Sequence, residues 1–307
     1  MKKNHITVLK KKSLSSEVLK RHIVNQRRMK MKKTLLYITL LFSLFVLGAC
    51  GSDSATSEEK KEIVIGATAG PYSDQLKDGI IPILEKDGYE VRIVEFNDYI
   101  QPNISLNEGE IDANLYQNSI YLKQFNKDHN MDLVASYAVP TAPIALYSEK
   151  HKSLDDIKEG STITMPNDPT NLARSLNMLV SFGLIEVDED ADPTIVSEKD
   201  IVKNKLNLKI KPIDPAQTPR SLGDTDFAFI NGNYALASGL KLDEAVEIEK
   251  TPEGYLIYVT VRKEDEDKPF AKALEKAYKS DEFLEYTNKN AKGYVKPPYQ
   301  VEKEGNK

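Results

Sequence analysis

Three polar residues of this chain have the types and settings that suit a small charged ligand: Asn171, Arg174 and Asn231. In the stretch PNDPTNLARSLNML (166–179), Asp168 reads as a helix N-cap and Pro169 as the first helical residue. Asn171 and Arg174 then fall three apart, on one face of the opening turns. A cation there opposes the helix macrodipole, an arrangement that makes sense beside something anionic. A guanidinium grips a carboxylate bidentately, and helix N–H groups add donors. The competing reading is a surface arginine paired with an acid. Asn231 ends the run DFAFIN, where alternation puts Phe227, Phe229 and Asn231 on one side, just ahead of Gly232. That is a binding position at a strand's carboxyl end, although Asn-Gly is also a plain turn signal. In IDANLYQN, alternation places Asp112, Asn114, Tyr116 and Asn118 on one face, with Tyr121 opening the next helix. Phenols and an amide suit the wall of a ligand pocket; cross-strand packing of Tyr116 and Tyr121 is the alternative. Tyr99, in EFNDYIQPN, sits in a polar loop after a strand, where clefts are lined.

Catalysis finds little support in the same search. No Gly-x-Ser-x-Gly, His-Glu-x-x-His or P-loop pattern occurs. Cys50 is the only cysteine, which excludes an intrachain disulfide and a cysteine-based zinc cluster. His129 and His151 each stand alone among Lys and Asp, and Asp155-Asp156 suits a solvated or helix-capping pair. Neither a metal nor a cofactor is expected.

The elements that must hold these residues alternate. Strands are expected at 63–67, 89–96 and 111–118, with helices at 73–86, 104–108 and 120–130, and a largely apolar segment at 133–148 broken by Pro140 and Pro143. This βαβαβ order predicts a parallel sheet flanked by helices. A second unit begins near Ser153, with a helix at 154–157, a strand at 162–165 and a helix at 169–182 whose Leu172, Leu176 and Leu179 face a core. An acidic surface loop is expected at 186–192 and a mixed segment at 195–204. Strands at 208–213 and 226–231, a turn at 220–222 and a helix at 233–238 complete it. A strand at 255–262 and helices at 270–278 and 281–290 follow. The assignment is α/β with two lobes: 63–149 and 252–300 in the first, 150–251 in the second. A chain that leaves its first lobe and returns late resembles the type II periplasmic-binding-protein fold, with the ligand cleft between lobes.

Before the fold stands a processing signal. Residues 32–50 read KKTLLYITLLFSLFVLGAC, two lysines ahead of an apolar run too short and wrongly flanked to span a membrane. Its end, Leu-Gly-Ala-Cys, resembles a bacterial lipobox, which implies lipidation of Cys50 as the first mature residue. Residues 1–30 form a basic extension ahead of a complete signal (31–49), read as an over-called start. Residues 50–62 form a small polar tether. Without residues 1–49 the chain holds 30 basic and 46 acidic residues, a net charge of −16. That argues against nucleic acid and against charge-driven membrane binding, leaving the lipid as the membrane link.

Six stretches together resemble the NlpA family of lipoproteins, the methionine-binding components of ABC importers: EFNDYIQPN, GEIDANLYQNSIYL, PIALYS, MPNDPTNLARSL, PAQTPRSLGDTDFAFINGNYA and the lipobox. They occur in family order across nearly the whole mature chain. The resemblance implies an aromatic pocket for the thioether, formed by Tyr99, Tyr116 and Tyr121. It implies a polar clamp of Arg174 and Asn231, with Asn171 nearby, and an ABC permease as partner. One place departs. Where the family's methionine binders usually read aromatic-Gln-His-x-Pro-Tyr-Leu, this chain has Asn118 for His and Ile120 for Pro. The head group of an amino acid is still expected; the side chain stays open between methionine, another amino acid and a short methionine-containing peptide. An extracytoplasmic enzyme is the rival from another class.

Overall fold

The computed structural model describes residues 61–305. Cys50, the signal at 31–49, the extension at 1–30 and the tether as far as residue 60 lie outside them. Among the described residues no helix is long and apolar enough to cross a membrane.

The first lobe is built on a five-stranded sheet of order β2-β1-β3-β12-β4: β1 (Glu62–Thr68), β2 (Glu90–Phe96), β3 (Ala113–Asn118), β4 (Val134–Val139) and β12 (Ile257–Val261). β1 runs parallel to β2 and β3, as the alternation predicts. β12 is antiparallel to both β3 and β4. The expected all-parallel sheet is therefore mixed, because the returning chain enters from the opposite end. Ile63, Ile65, Val259 and Val261 pack with Leu274 and Phe283 from the closing helices α6 (Pro269–Tyr278) and α7 (Asp281–Asn290). A further helix, α8 (Pro298–Gly305), lies beyond the elements foreseen.

The first helix, α1 (71–86), keeps a π-helical middle at Gln75–Ile80. Pro82 lacks the N–H that would close an ordinary turn, which displaces the hydrogen-bond ladder. Gly79 lies against Phe283, where a Cβ would come within 2.8 Å of the ring. The wider turn and the missing side chain let α7 close on α1.

The second lobe carries a sheet of order β11-β5-β10-β6-β9: β5 (Ala145–Tyr147), β6 (Thr162–Pro166), β9 (Lys209–Ile213), β10 (Phe227–Ile230) and β11 (Glu247–Ile248). β6 is parallel to β9 and β10, while β5 is antiparallel to β10 and β11. The apolar segment read as one unit at 133–148 is thus divided. β4 belongs to the first sheet and β5 already to the second, so the chain crosses at 140–144, ahead of residue 150. It returns through 249–256. The crossings are stitched together, with Glu249 N donating to Ile144 O at 3.1 Å and Ile257 N to the Thr141 hydroxyl at 2.8 Å. The acidic loop expected at 186–192 begins inside β7 (Ile185–Val187), which pairs with β8 (Ile201–Asn204) in a two-stranded ribbon. The helix expected at 154–157 is a single 3-10 turn, Leu154–Asp156.

α4 (Pro169–Ser181) begins as read, with Asp168 accepting from Asn171 N and Pro169 inside the first turn. Leu172, Leu176 and Leu179 are buried against Ile163, Met165, Phe227 and Phe229. Burial of each such side chain stabilises the lobe by about 1.5–3 kcal/mol, so this face fixes how the other face of α4 meets the cleft.

Candidate ligand-binding site

A narrow cavity of about 20 Å³ lies between the lobes. Lobe one contributes Tyr72 from α1, Tyr99 from the loop before α2 (Gln101–Glu108), Tyr116, Gln117 and Asn118 from β3, and Tyr121 from α3 (Ser119–His129). Lobe two contributes Asn171 and Arg174 from α4, and Asn231, Gly232 and Asn233 around the start of α5 (Gly232–Ala237). All seven binding residues expected from the sequence line this one cavity. Gly232 fits because a Cβ there would meet the Ala142 carbonyl oxygen of the first crossing at 2.5 Å.

The aromatic side has its hydroxyls tied up. Tyr116 and Tyr121 both donate to the Tyr99 carbonyl oxygen, each at 2.8 Å. Tyr99 donates across the cleft to Asn233 Oδ1 at 2.6 Å. Their rings stand 5.6–6.0 Å apart in tilted and edge-on pairs. Burial pushes all three phenols well above the usual tyrosine range, so they stay neutral. What remains to face a ligand is ring surface, which suits an apolar, polarisable group such as a thioether.

Asn118 has a local duty that strand alternation did not reveal. Its Oδ1 accepts from Tyr121 N at 2.8 Å and caps α3. The cap uses the acceptor of this side chain and leaves its two Nδ2 donors outside that bond. The single polar face expected across β3 is also corrected. The register against β12 slips between Tyr258 and Val259, leaving Tyr116 as the extra residue of a bulge. Asn114 therefore shares its side with Gln117, and the two amides join Asn103 in a buried network, at 2.8 Å and 2.5 Å to Asn103 Oδ1. Asp112 points elsewhere, accepting from Val64 N at 2.8 Å. Gln117 reaches the cavity through this phase change, which no periodic reading could find. Tyr72 and Asn233 also escaped the sequence reading; the second lies two residues past Asn231 on the turn entering α5.

Arg174 is the one charged side chain lining the cavity among the described residues. The sequence leaves it between an anionic ligand and a paired acid, and the structure supplies an acid, in a buried rather than a surface pair. Nε donates to Glu249 Oε1 at 2.7 Å and Nη2 pairs with Oε2, a bidentate bridge between groups 4% and 8% exposed. The guanidinium also lies over the Tyr255 ring, 4.6 Å from its centroid. Glu249 stands 75 residues further on, in the returning crossing, so spacing gave no sign of it. The pair uses Nε and Nη2 and leaves Nη1 outside it.

Beside Arg174 runs a chain of amides. Asn171 donates to Asp168 from its backbone N at 3.0 Å and from Nδ2 at 3.0 and 3.1 Å. Asn231 Nδ2 donates to Asn171 Oδ1 at 2.9 Å. Asn231 Oδ1 is buried with no protein partner. A cavity with a guanidinium and a bare acceptor at one end, and ring faces at the other, matches the charge pattern of a zwitterion with an apolar tail.

Comparison with known proteins follows the same line. The sequence profile of NlpA lipoproteins matches residues 63–299. The D-methionine-binding lipoprotein MetQ of Salmonella typhi is 37% identical over 260 residues, covering 84% of this chain and 94% of that one. The methionine-binding lipoprotein MetQ of Bacillus subtilis (strain 168) is 36% identical over 272 residues, 87% of this chain and 99% of its own. Among solved structures, a nutrient-binding protein from Burkholderia cenocepacia bound to methionine superposes with a TM-score of 0.72 at 38% identity, over 76% of this chain and 99% of that one.

Proposed function

The chain belongs to the NlpA lipoprotein family, and from that premise we propose that it is the substrate-binding component of an importer for methionine. It is held outside the cytoplasmic membrane by lipid on Cys50, closes its lobes over the free amino acid, and hands it to an ABC permease. It does no chemistry on the ligand; closure is the working step.

The observation that carries this reading is the polarity of the cavity. Arg174 Nη1 stands for the ligand carboxylate and the bare Oδ1 of Asn231 for its ammonium group. The tyrosine rings, their hydroxyls already satisfied, stand for the methylsulfanyl tail.

The test is calorimetric titration of the purified protein with free amino acids in both enantiomers and with short methionine-containing peptides. Native mass spectrometry before ligand removal identifies anything that co-purifies. Methionine is expected to bind most tightly. Tight binding of a peptide with weak binding of the free amino acid would transfer the assignment to a peptide carrier, and no binding across the panel would remove it.

A further inference from the structure

A primary amide offers an acceptor at one end and two donors at the other. Which end of Asn231 faces the cavity therefore decides which charge the cavity welcomes, and the hydrogen-bond chain shows what decides it. An ionised carboxylate can only accept. Both oxygens of Asp168 receive Asn171 Nδ2, and its Oδ1 also takes Asn171 N and, at 3.2 Å, the Thr170 hydroxyl. The donor end of Asn171 is thereby held toward Asp168, and its Oδ1 is turned toward Asn231. That oxygen accepts from Asn231 Nδ2, which leaves Asn231 Oδ1 facing the cavity. Asn231 is 7% exposed, and this oxygen has no protein partner.

We propose that Asp168 is a positioning residue: acting through Asn171, it fixes Asn231 as an acceptor and makes the site select ligands that carry an ammonium group. The inference rests on the amino-acid reading given above and adds to it the residue that sets head-group selectivity. Charge points the same way. Arg174 and Glu249 cancel one another in their bridge, whereas Asp168 has no ion pair among the described residues. Burial raises the Asp168 carboxyl above its usual range, and the bonds from Asn171 and Thr170 draw it back. The amide chain conducts that negative charge toward the cavity as a series of aligned dipoles.

Asp168→Asn tests the relay. The new side chain still has an oxygen to cap α4, but its NH2 can now donate to Asn171 Oδ1. Asn171 then turns over, and Asn231 presents NH2 to the cavity instead of oxygen. Calorimetry should compare methionine with methionine lacking its amino group. The preference for methionine over the deaminated acid is expected to fall by at least about tenfold, with the melting temperature little changed. Asp168→Ser keeps the cap without a second oxygen for Asn171 Nδ2, and should shift the preference in the same direction by less; it serves if the first variant does not fold. A folded variant that keeps the wild-type preference would overturn the proposal. If the wild type binds neither compound nor any other amino acid, the functional reading fails separately. The relay is then read from the Asn231 side-chain amide protons by NMR, which should exchange slowly in the wild type and faster in Asp168→Asn. Unchanged exchange would overturn it.

Discussion

Replacing Arg174 by alanine perturbs two things at once, and the structure says how to separate them. The side chain holds a ligand carboxylate in the proposed complex, and it pairs with Glu249 in a bridge that excludes water from both groups. Breaking a buried pair by removing one partner costs about 3–5 kcal/mol, because the other charge stays behind. Applied to the ligand carboxylate, that weakens methionine binding by about 100-fold or more. Applied to Glu249, it lowers the melting temperature by about 6 °C or more for a chain of this size. The single variant therefore confounds a ligand contact with a structural one. The double variant Arg174→Ala/Glu249→Ala removes the stranded carboxylate. Its melting temperature should recover most of the loss while its affinity stays low. Thermal melts and calorimetric titration of the three proteins decide the matter. Recovery of both properties in the double variant would refute the clamp and leave Arg174 a structural residue. So would unchanged affinity in a folded single variant.

The other predictions concern smaller parts. Asn118→Ala removes a helix cap and should cost about 1 kcal/mol of stability while changing methionine affinity only a few-fold; collapse of affinity without loss of stability would make Asn118 a ligand contact instead. Tyr99→Phe keeps the ring but deletes the 2.6 Å bond to Asn233 across the cleft, so stopped-flow should show methionine leaving about tenfold faster with a similar on-rate, and unaltered dissociation would exclude this bond as a closing latch. Cys50→Ala should abolish incorporation of labelled fatty acid in cells, and continued labelling would place the lipid elsewhere.

How much of this was legible in the sequence follows from the range of the interactions. The N-cap at Asp168 and the leucine face of α4 are local, and both stand where the spacing put them. The cavity residues could be named because strand ends and helix starts are also local signals, and the topology brings those ends together. Glu249 could not be named, since its partner lies 75 residues earlier and no periodicity connects a crossing strand to a helix. The bulge at Tyr116 is a second case: one extra residue exchanges the two faces of β3 beyond it, so strict alternation pairs Asn114 with Tyr116 where the structure pairs it with Gln117. The antiparallel entry of β12 is a third, because strand direction depends on where the returning chain enters and not on composition. The duty of Asn118 is a local signal that alternation passed over: its oxygen caps a backbone N–H three residues on.

The central claim is that the cavity holds methionine in one orientation, and a crystal structure of the protein grown with methionine tests it most directly. The account predicts the carboxylate on Arg174, the ammonium on Asn231 Oδ1 and the sulfur against the rings of Tyr99, Tyr116 and Tyr121, with the Arg174–Glu249 bridge intact. Methionine bound in the reverse sense, or seated outside the cavity in the groove lined by Met178, Phe182 and Tyr255, would contradict it.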